Sequence, residues 1–137
     1  YIHGRLSDEC EKIQVINKNI TENSLFLFDE ALSSTNSTEA VVIATEIITA
    51  YSDIGARGLW TTHFHELCGL ENSYTGGKSK IVNLCARIDE YSHKRAFKII
   101  RGHYGQSYAM DIAKAYNLTK DEILNNIKKC SVWMVSL

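Results

Sequence analysis

Proline is absent from this 137-residue sequence. No turn is set by a ring-locked φ, so turns fall to Gly, Asn, Ser and Asp, as at 53–55 and 74–78. Cysteine is sparse: Cys10, Cys68, Cys85 and Cys130 form no CxxC pair and fit no zinc-ribbon or finger spacing. Thiols in a reducing cytosol and a disulfide pair both stay open for them. No apolar run is long enough to span a bilayer and no signal peptide opens the chain, which points to the cytoplasm and away from membranes. A basic excess is missing as well. Lys and Arg total 15 against 16 Asp and Glu, for a net charge of −1. Nothing in that balance advertises a nucleic-acid face, so contact with DNA is expected from other domains or partners.

What is present suits a globular domain or part of one: 45% of the residues are hydrophobic, enough to supply a core. The sequence opens on Tyr1 rather than Met and is expected to be a piece of a longer chain. Leu6, Cys10, Ile13, Ile16 and Ile20 fall at helical spacing, with Ser7 or Asp8 as candidate cap. Residues 24–28 form a continuous apolar run, expected to be a parallel strand buried on both faces. A small polar loop over 31–37 follows. Asn36 and Glu39 are placed to cap a helix that runs to about Asp53 and stops at Gly55, with Ile43, Ile47, Ala50, Tyr51 and Ile54 as its buried stripe. A second short strand over 57–62, a helical piece over 65–70 and a flexible loop over 72–78 come next. Residues 81–88 and 94–100 read as a hairpin, and 106–116 and 120–129 as helices, the last with a Thr119–Glu122 capping box. The order argues for an α/β domain.

The first apolar strand ends in Asp29-Glu30. A carboxylate at the carboxyl end of a buried parallel strand lies where α/β sheets bind ligands. In P-loop ATPases that Asp serves Mg²⁺, and a neighbouring carboxylate can orient or deprotonate the attacking water. Two solvated acids closing a strand would read the same way. The next strand leads into Thr61-Thr62-His63-Phe64-His65-Glu66-Leu67, where His63 could reach the same crevice. His63, His65 and Glu66 as metal ligands, or the two histidines as ordinary polar loop residues, are the alternatives.

The ordered set resembles the MutS mismatch-repair ATPase domain. The Ser-Leu-Phe-Leu-Phe-Asp-Glu run resembles a Walker B strand with its Thr21-Glu22-Asn23 lead-in. Residues 31–37 resemble the family's Gly-Thr-Ser-type loop, with Ser34 where the common pattern has Gly. Residues 61–67 resemble its Thr-His-x-x-Glu-Leu strand end, and 102–114 its late Ser-Tyr-Gly stretch. The similarity runs from about Gly4 to Asn126, so the whole of 1–137 is read as the second half of such a domain. It implies a P-loop NTPase-like (ABC-class) partial domain: a mainly parallel sheet flanked by helices, a late β-hairpin and C-terminal helices. It further implies ATP and Mg²⁺ as cofactors, Asp29 serving the metal through water, Glu30 as catalytic carboxylate and His63 as the switch histidine. Ser33, Ser34, Thr35 and Ser37 would belong to the loop that crosses to a partner subunit and meets nucleotide, and Ser7 would stand for the signature serine acting in trans. A homodimer through this domain, and DNA held by other domains, complete the expectation.

The phosphate-gripping GxxxxGK[ST] loop is missing. Gly76-Gly77-Lys78-Ser79 ends like it, but Asn72 stands where the first glycine belongs and the segment follows the Walker B strand, so it is read as a surface turn. Residues 112–123 have the cadence of a helix-turn-helix DNA reader, with Lys120, Asn125, Asn126, Lys128 and Lys129 on the candidate helix. Two functions compete: the hydrolytic half of an ATPase, or a degenerate half kept for dimerisation or partner binding.

Overall fold

The computed structural model describes residues 4–89, 91–92, 94–103 and 109–135, with the side chains of 128–135 outside the description. Two compact units divide the chain, residues 1–103 and 104–137.

The first unit begins with α1 (Arg5–Asn19) and continues through β1 (Leu25–Asp29), α2 (Ser37–Ile54) and β2 (Arg57–Thr61). Helix α1 starts at Arg5 with Gly4 at its cap position, so Ser7 and Asp8 lie inside its first turn and neither caps it. Asp8 there still complements the positive end of the helix dipole. Asn36 does cap α2, its side chain accepting from Thr38 N at 2.9 Å. Glu39 does not close the box and instead accepts from Thr35 Oγ1 at 3.5 Å. Gly55 ends the helix in the left-handed region at φ 92°, which glycine adopts without steric cost.

Strands β1 and β2 pair in parallel, Leu25 opposite Arg57 through Asp29 opposite Thr61. On one face Phe26 packs edge-on against Tyr51 of α2 at 4.9 Å, and Phe28 against Trp60 at 4.8 Å. Gly58 is required there, because a Cβ at that position would lie 2.5 Å from the Phe26 ring. The expected burial of β1 on both faces is not met. Leu25 is 71% exposed and Leu27 67%, and their neighbour Leu59 is 58% exposed, so the face away from α2 is bare. Among the described residues, one helix layer covers the sheet. The buried stripe of α2 is Ala40, Ala44, Tyr51 and Ser52, while Ala50 faces outward. The two small alanines are fully buried in the cluster that holds Leu32, and Ile43 and Ile47 pack against it while only partly buried.

A 3-10 turn over His65–Gly69 runs into α3 (Leu70–Ser73), which takes up the start of the expected loop. Strands β3 (Leu84–Ile88) and β4 (Arg95–Arg101) form an antiparallel hairpin, with an irregularity after Ala86 that leaves Phe97 at φ 54° and 91% exposed. The sheets are thus one parallel and one antiparallel pair rather than a mainly parallel one. Glu71 of α3 ties the hairpin down: it accepts from Asn83 N at 3.1 Å and from Arg101 at 2.8 Å.

In the second unit, α4 (Ala109–Ala115) and α5 (Lys120–Val135) join through a turn with Asn117 at φ 57°. Thr119 and Glu122 form the expected cap, Thr119 Oγ1 donating to Glu122 Oε2 at 2.6 Å. Helix α5 runs past the expected end at 129, so 131–135 are helical. The expected start of the preceding helix, Gln106, lies outside the described residues.

The guanidinium of Arg101, with the Asn83 amide, holds the Glu71 carboxyl below the usual carboxylate range. A depressed folded value means the contribution is present above the unfolded carboxylate value of about 4.3 and is lost as pH falls through the folded one. In urea unfolding between neutral and acid pH, Glu71→Gln is expected to flatten the acid-side loss of stability relative to the wild type; identical acid slopes would contradict the assignment.

Candidate active site

The site grows from the register of the parallel pair. Because Asp29 stands opposite Thr61, both strands end at the same level. Thr61 Oγ1 donates to Asp29 Oδ1 at 2.5 Å. The amide of Glu30 donates to Thr61 O at 3.0 Å and to Thr61 Oγ1 at 3.2 Å, extending the ladder one residue beyond β1. Glu30 then turns into the left-handed region at φ 50°. That turn brings its carboxylate to His63, with Glu30 Oε2 and His63 Nδ1 2.8 Å apart. After β2, Thr62 Oγ1 accepts from Phe64 N at 3.0 Å and Phe64 is buried, which fixes the backbone on either side of His63.

The pair is open to ligand. The His63 side chain is 67% exposed and that of Glu30 48%, so solvent screens their attraction and its stabilising effect is small. Asp29, Glu30 and His63, singled out from sequence, are therefore brought together. The loop residues are placed differently. Ser33 N donates to Glu30 O at 3.2 Å, closing a tight turn, while Ser34 and Ser37 are exposed and Thr35 is half-buried. Between them Leu32 is fully buried at φ 66°, a left-handed leucine locked into the core. Ser7, in the first turn of α1, is not joined by hydrogen bonds to Asp29, Glu30 or His63 among the described residues.

Two residues belong to the arrangement without having been singled out. Thr61 braces both acids; the only signal for it is that parallel strands ending together put the last residue of one beside the acid of the other. Glu9 reaches the loop from α1, accepting from Leu32 N at 3.0 Å and Ser34 Oγ at 3.3 Å. No local pattern marks a contact across 23 positions.

Residues 4–132 match the family model of MutS domain V. The chain belongs to that family. It is 34% identical over 131 residues to the DNA mismatch repair protein MutS of Clostridium kluyveri, covering 88% of this chain and 15% of that protein. It is 39% identical over 101 residues to MutS of a Geobacillus strain, covering 72% and 11%. Endonuclease MutS2 of Staphylococcus saprophyticus is 30% identical over 112 residues, covering 82% and 14%. The chain thus spans about 15% of the length of the first of these relatives.

The alternatives fare less well in this MutS domain V. His63 turns to Glu30, and among the described residues no group of three His, Cys, Asp or Glu is placed to hold a metal, so His63, His65 and Glu66 do not form one. The Gly-Gly-Lys-Ser segment packs on the C-terminal end of α2: Ser79 N donates to Ser52 O at 3.0 Å, and Ser52 Oγ to Ser79 O at 2.5 Å. A Cβ on Gly77 would fall 1.9 Å from Ser52 Oγ, so the glycine serves close packing. A helix C-terminus carries the negative end of the dipole and repels phosphate.

Thr61→Val keeps the β-branched shape but removes the hydroxyl shared by Asp29 and the Glu30 amide. It is expected to lower stability by about 1 kcal/mol, as for one modest hydrogen bond, read as a shift in urea midpoint with unchanged slope. No shift would mean the brace contributes nothing.

Proposed function

We propose that this chain supplies the hydrolytic half of the nucleotide site of a MutS-like ATPase, with ATP as substrate. The observation that carries the reading is the contact of Glu30 with His63 at the ends of two parallel strands, with Asp29 beside them. Crevices at the carboxyl ends of parallel strands are where such sheets take ligands. Glu30 is the carboxylate that orients the attacking water and accepts its proton. His63 holds the Glu30 carboxylate in place and offers its other ring nitrogen toward the terminal phosphate. Asp29 is suited to Mg²⁺: Thr61 occupies Oδ1, and Oδ2 is left for a water on the metal, in keeping with the one or two carboxylates that Mg²⁺ usually takes beside water and phosphate oxygens. Bound Mg²⁺ would neutralise charge on the phosphates.

The phosphate-gripping loop comes from elsewhere in the longer protein. The bare face carrying Leu25, Leu27 and Leu59, and the buried Trp60 Nε1 that has no hydrogen-bond partner among the described residues, fit a sheet that further parts of the domain cover. A cavity of about 990 Å³ beside β2, bordered by Leu59, Trp60, His63 and Ile81, offers room next to the site. Pairing of two such domains, with Ser7 and the 33–37 loop facing the partner's nucleotide, would couple ATP state to dimerisation and to DNA held by other domains. The competing reading is a degenerate half kept for dimerisation; it predicts that the acids can be neutralised without loss.

Two outcomes test this. In the longer protein, Glu30→Gln is expected to reduce ATP turnover by about 10²–10⁴-fold while ATP still binds, as for loss of a general base. Unchanged turnover would favour the degenerate reading. The 137-residue chain alone is expected to hydrolyse no ATP; turnover by it that Glu30→Gln abolishes would overturn the need for a separate phosphate loop.

A further inference from the structure

The loop after β1 is held from a distance. Leu32 combines complete burial with φ 66°, and Glu30 two residues before it has φ 50°. Non-glycine residues in that region carry backbone strain and persist only where the surroundings over-determine them. Burial of the Leu32 side chain supplies part of that determination. Its amide supplies the rest, because it donates to the carboxylate of Glu9 on α1 at 3.0 Å. A buried amide left without an acceptor is costly, and a carboxylate is a strong one.

Glu9 is engaged on both oxygens. Oε2 also accepts from Ser34 Oγ at 3.3 Å, and Oε1 lies 3.7 Å from Arg5 Nε one helical turn away. Its side chain is only 23% exposed, so these contacts are shielded more than those of a surface pair. Helix α1 is itself a fixed platform: Ile13 is buried in the core, and Asn17 Oδ1 accepts from Tyr51 OH of α2 at 2.5 Å.

We infer that Glu9 is a positioning residue, clamping the loop 31–37 to α1 so that Glu30 keeps the left-handed turn that aims its carboxylate at His63. The inference rests on the hydrolytic reading of Glu30 given above. Rotating Leu32 out of its conformation must move the peptide between it and Glu30, since the chain offers no glycine between them to absorb the change. The same clamp keeps Ser34 in register with the first turn of α1, where Ser7 stands. The two segments proposed to face a partner subunit are therefore presented from one frame rather than two.

The test uses the longer protein that carries this chain, with Glu9→Ala, Glu9→Asp and Glu9→Gln. Amide hydrogen exchange of residues 30–36 is read by mass spectrometry beside steady-state ATP turnover. Glu9→Ala is expected to speed exchange in that segment about tenfold or more, as for loss of a charge-assisted bond to a buried amide. It should lower kcat by about tenfold while KM for ATP stays within about twofold, because Glu9 bonds to the loop and to Arg5 rather than to Asp29, Glu30 or His63. Glu9→Asp, one methylene shorter, should move both readouts the same way. Glu9→Gln keeps a carbonyl acceptor and should retain most of both. Unchanged exchange in the Ala and Asp variants, or faster exchange with unchanged kcat, would overturn the inference. Should Glu30→Gln leave turnover unaltered, the hydrolytic reading fails, and the positioning role fails with it even if the exchange data show that Glu9 holds the loop.

Discussion

Everything proposed for the site depends on the parallel pairing of β1 with β2. In that register Asp29 faces Thr61, so two strands that are far apart in sequence stop at the same level and point their ends into one crevice. A shift of one residue would turn Asp29 and Glu30 to the opposite faces and move Thr61 away from both. Helix α2 is what makes the parallel arrangement possible, since parallel neighbours need a crossover and this one packs Tyr51 onto Phe26 and Phe28. The aromatic cluster is thus less a feature of the core alone than the spacer that sets the end of the sheet where Asp29, Glu30 and His63 meet.

Beyond the strand ends, the backbone does work that the side-chain types do not announce. Glu30 and Leu32 both enter the left-handed region, and their carbonyls accept from the amides of Ser33 and Thr35 to close the turn. The result is a loop that leaves β1, buries one leucine and returns to the cap of α2 within a few residues. Ser34, Asn36 and Ser37 are then exposed, Ser33 and Thr35 are half-buried, and Glu30 is directed at His63. On the proposed reading, the contacts that keep the loop compact are also the ones that keep the Glu30 carboxylate toward His63.

Much of this was legible in the sequence, for identifiable reasons. The continuous apolar run, the Asn36 cap, the Gly55 stop and the Thr119–Glu122 box are local signals, and each appears where the residues placed it. The convergence of Asp29, Glu30 and His63 was legible because all three sit at or just beyond the ends of neighbouring strands. What failed was nonlocal. Two-faced burial of β1 was read from an apolar run, but whether Leu25 and Leu27 are covered depends on layers that the run does not encode. The α2 stripe departs from expectation at Ala50, which is exposed, whereas Ala40 and Ala44 are the fully buried positions and Ile43 and Ile47 pack beside them partly buried. Ser7 and Asp8 as caps gave way to Gly4 because the helix begins at Arg5, before either of them. Thr61 and Glu9 act across long sequence separations, and no spacing rule reaches that far.

The most direct test of the account is a double-mutant cycle on Glu30 and His63, read as single-turnover ATP hydrolysis in the longer protein. If the two groups act as one unit, Glu30→Gln and His63→Ala together should cost no more than the worse of the two alone, because residues that work as a unit are strongly non-additive. Losses that simply multiply would mean that Glu30 and His63 act independently despite their 2.8 Å contact. No loss in any variant would contradict the assignment of this crevice to hydrolysis.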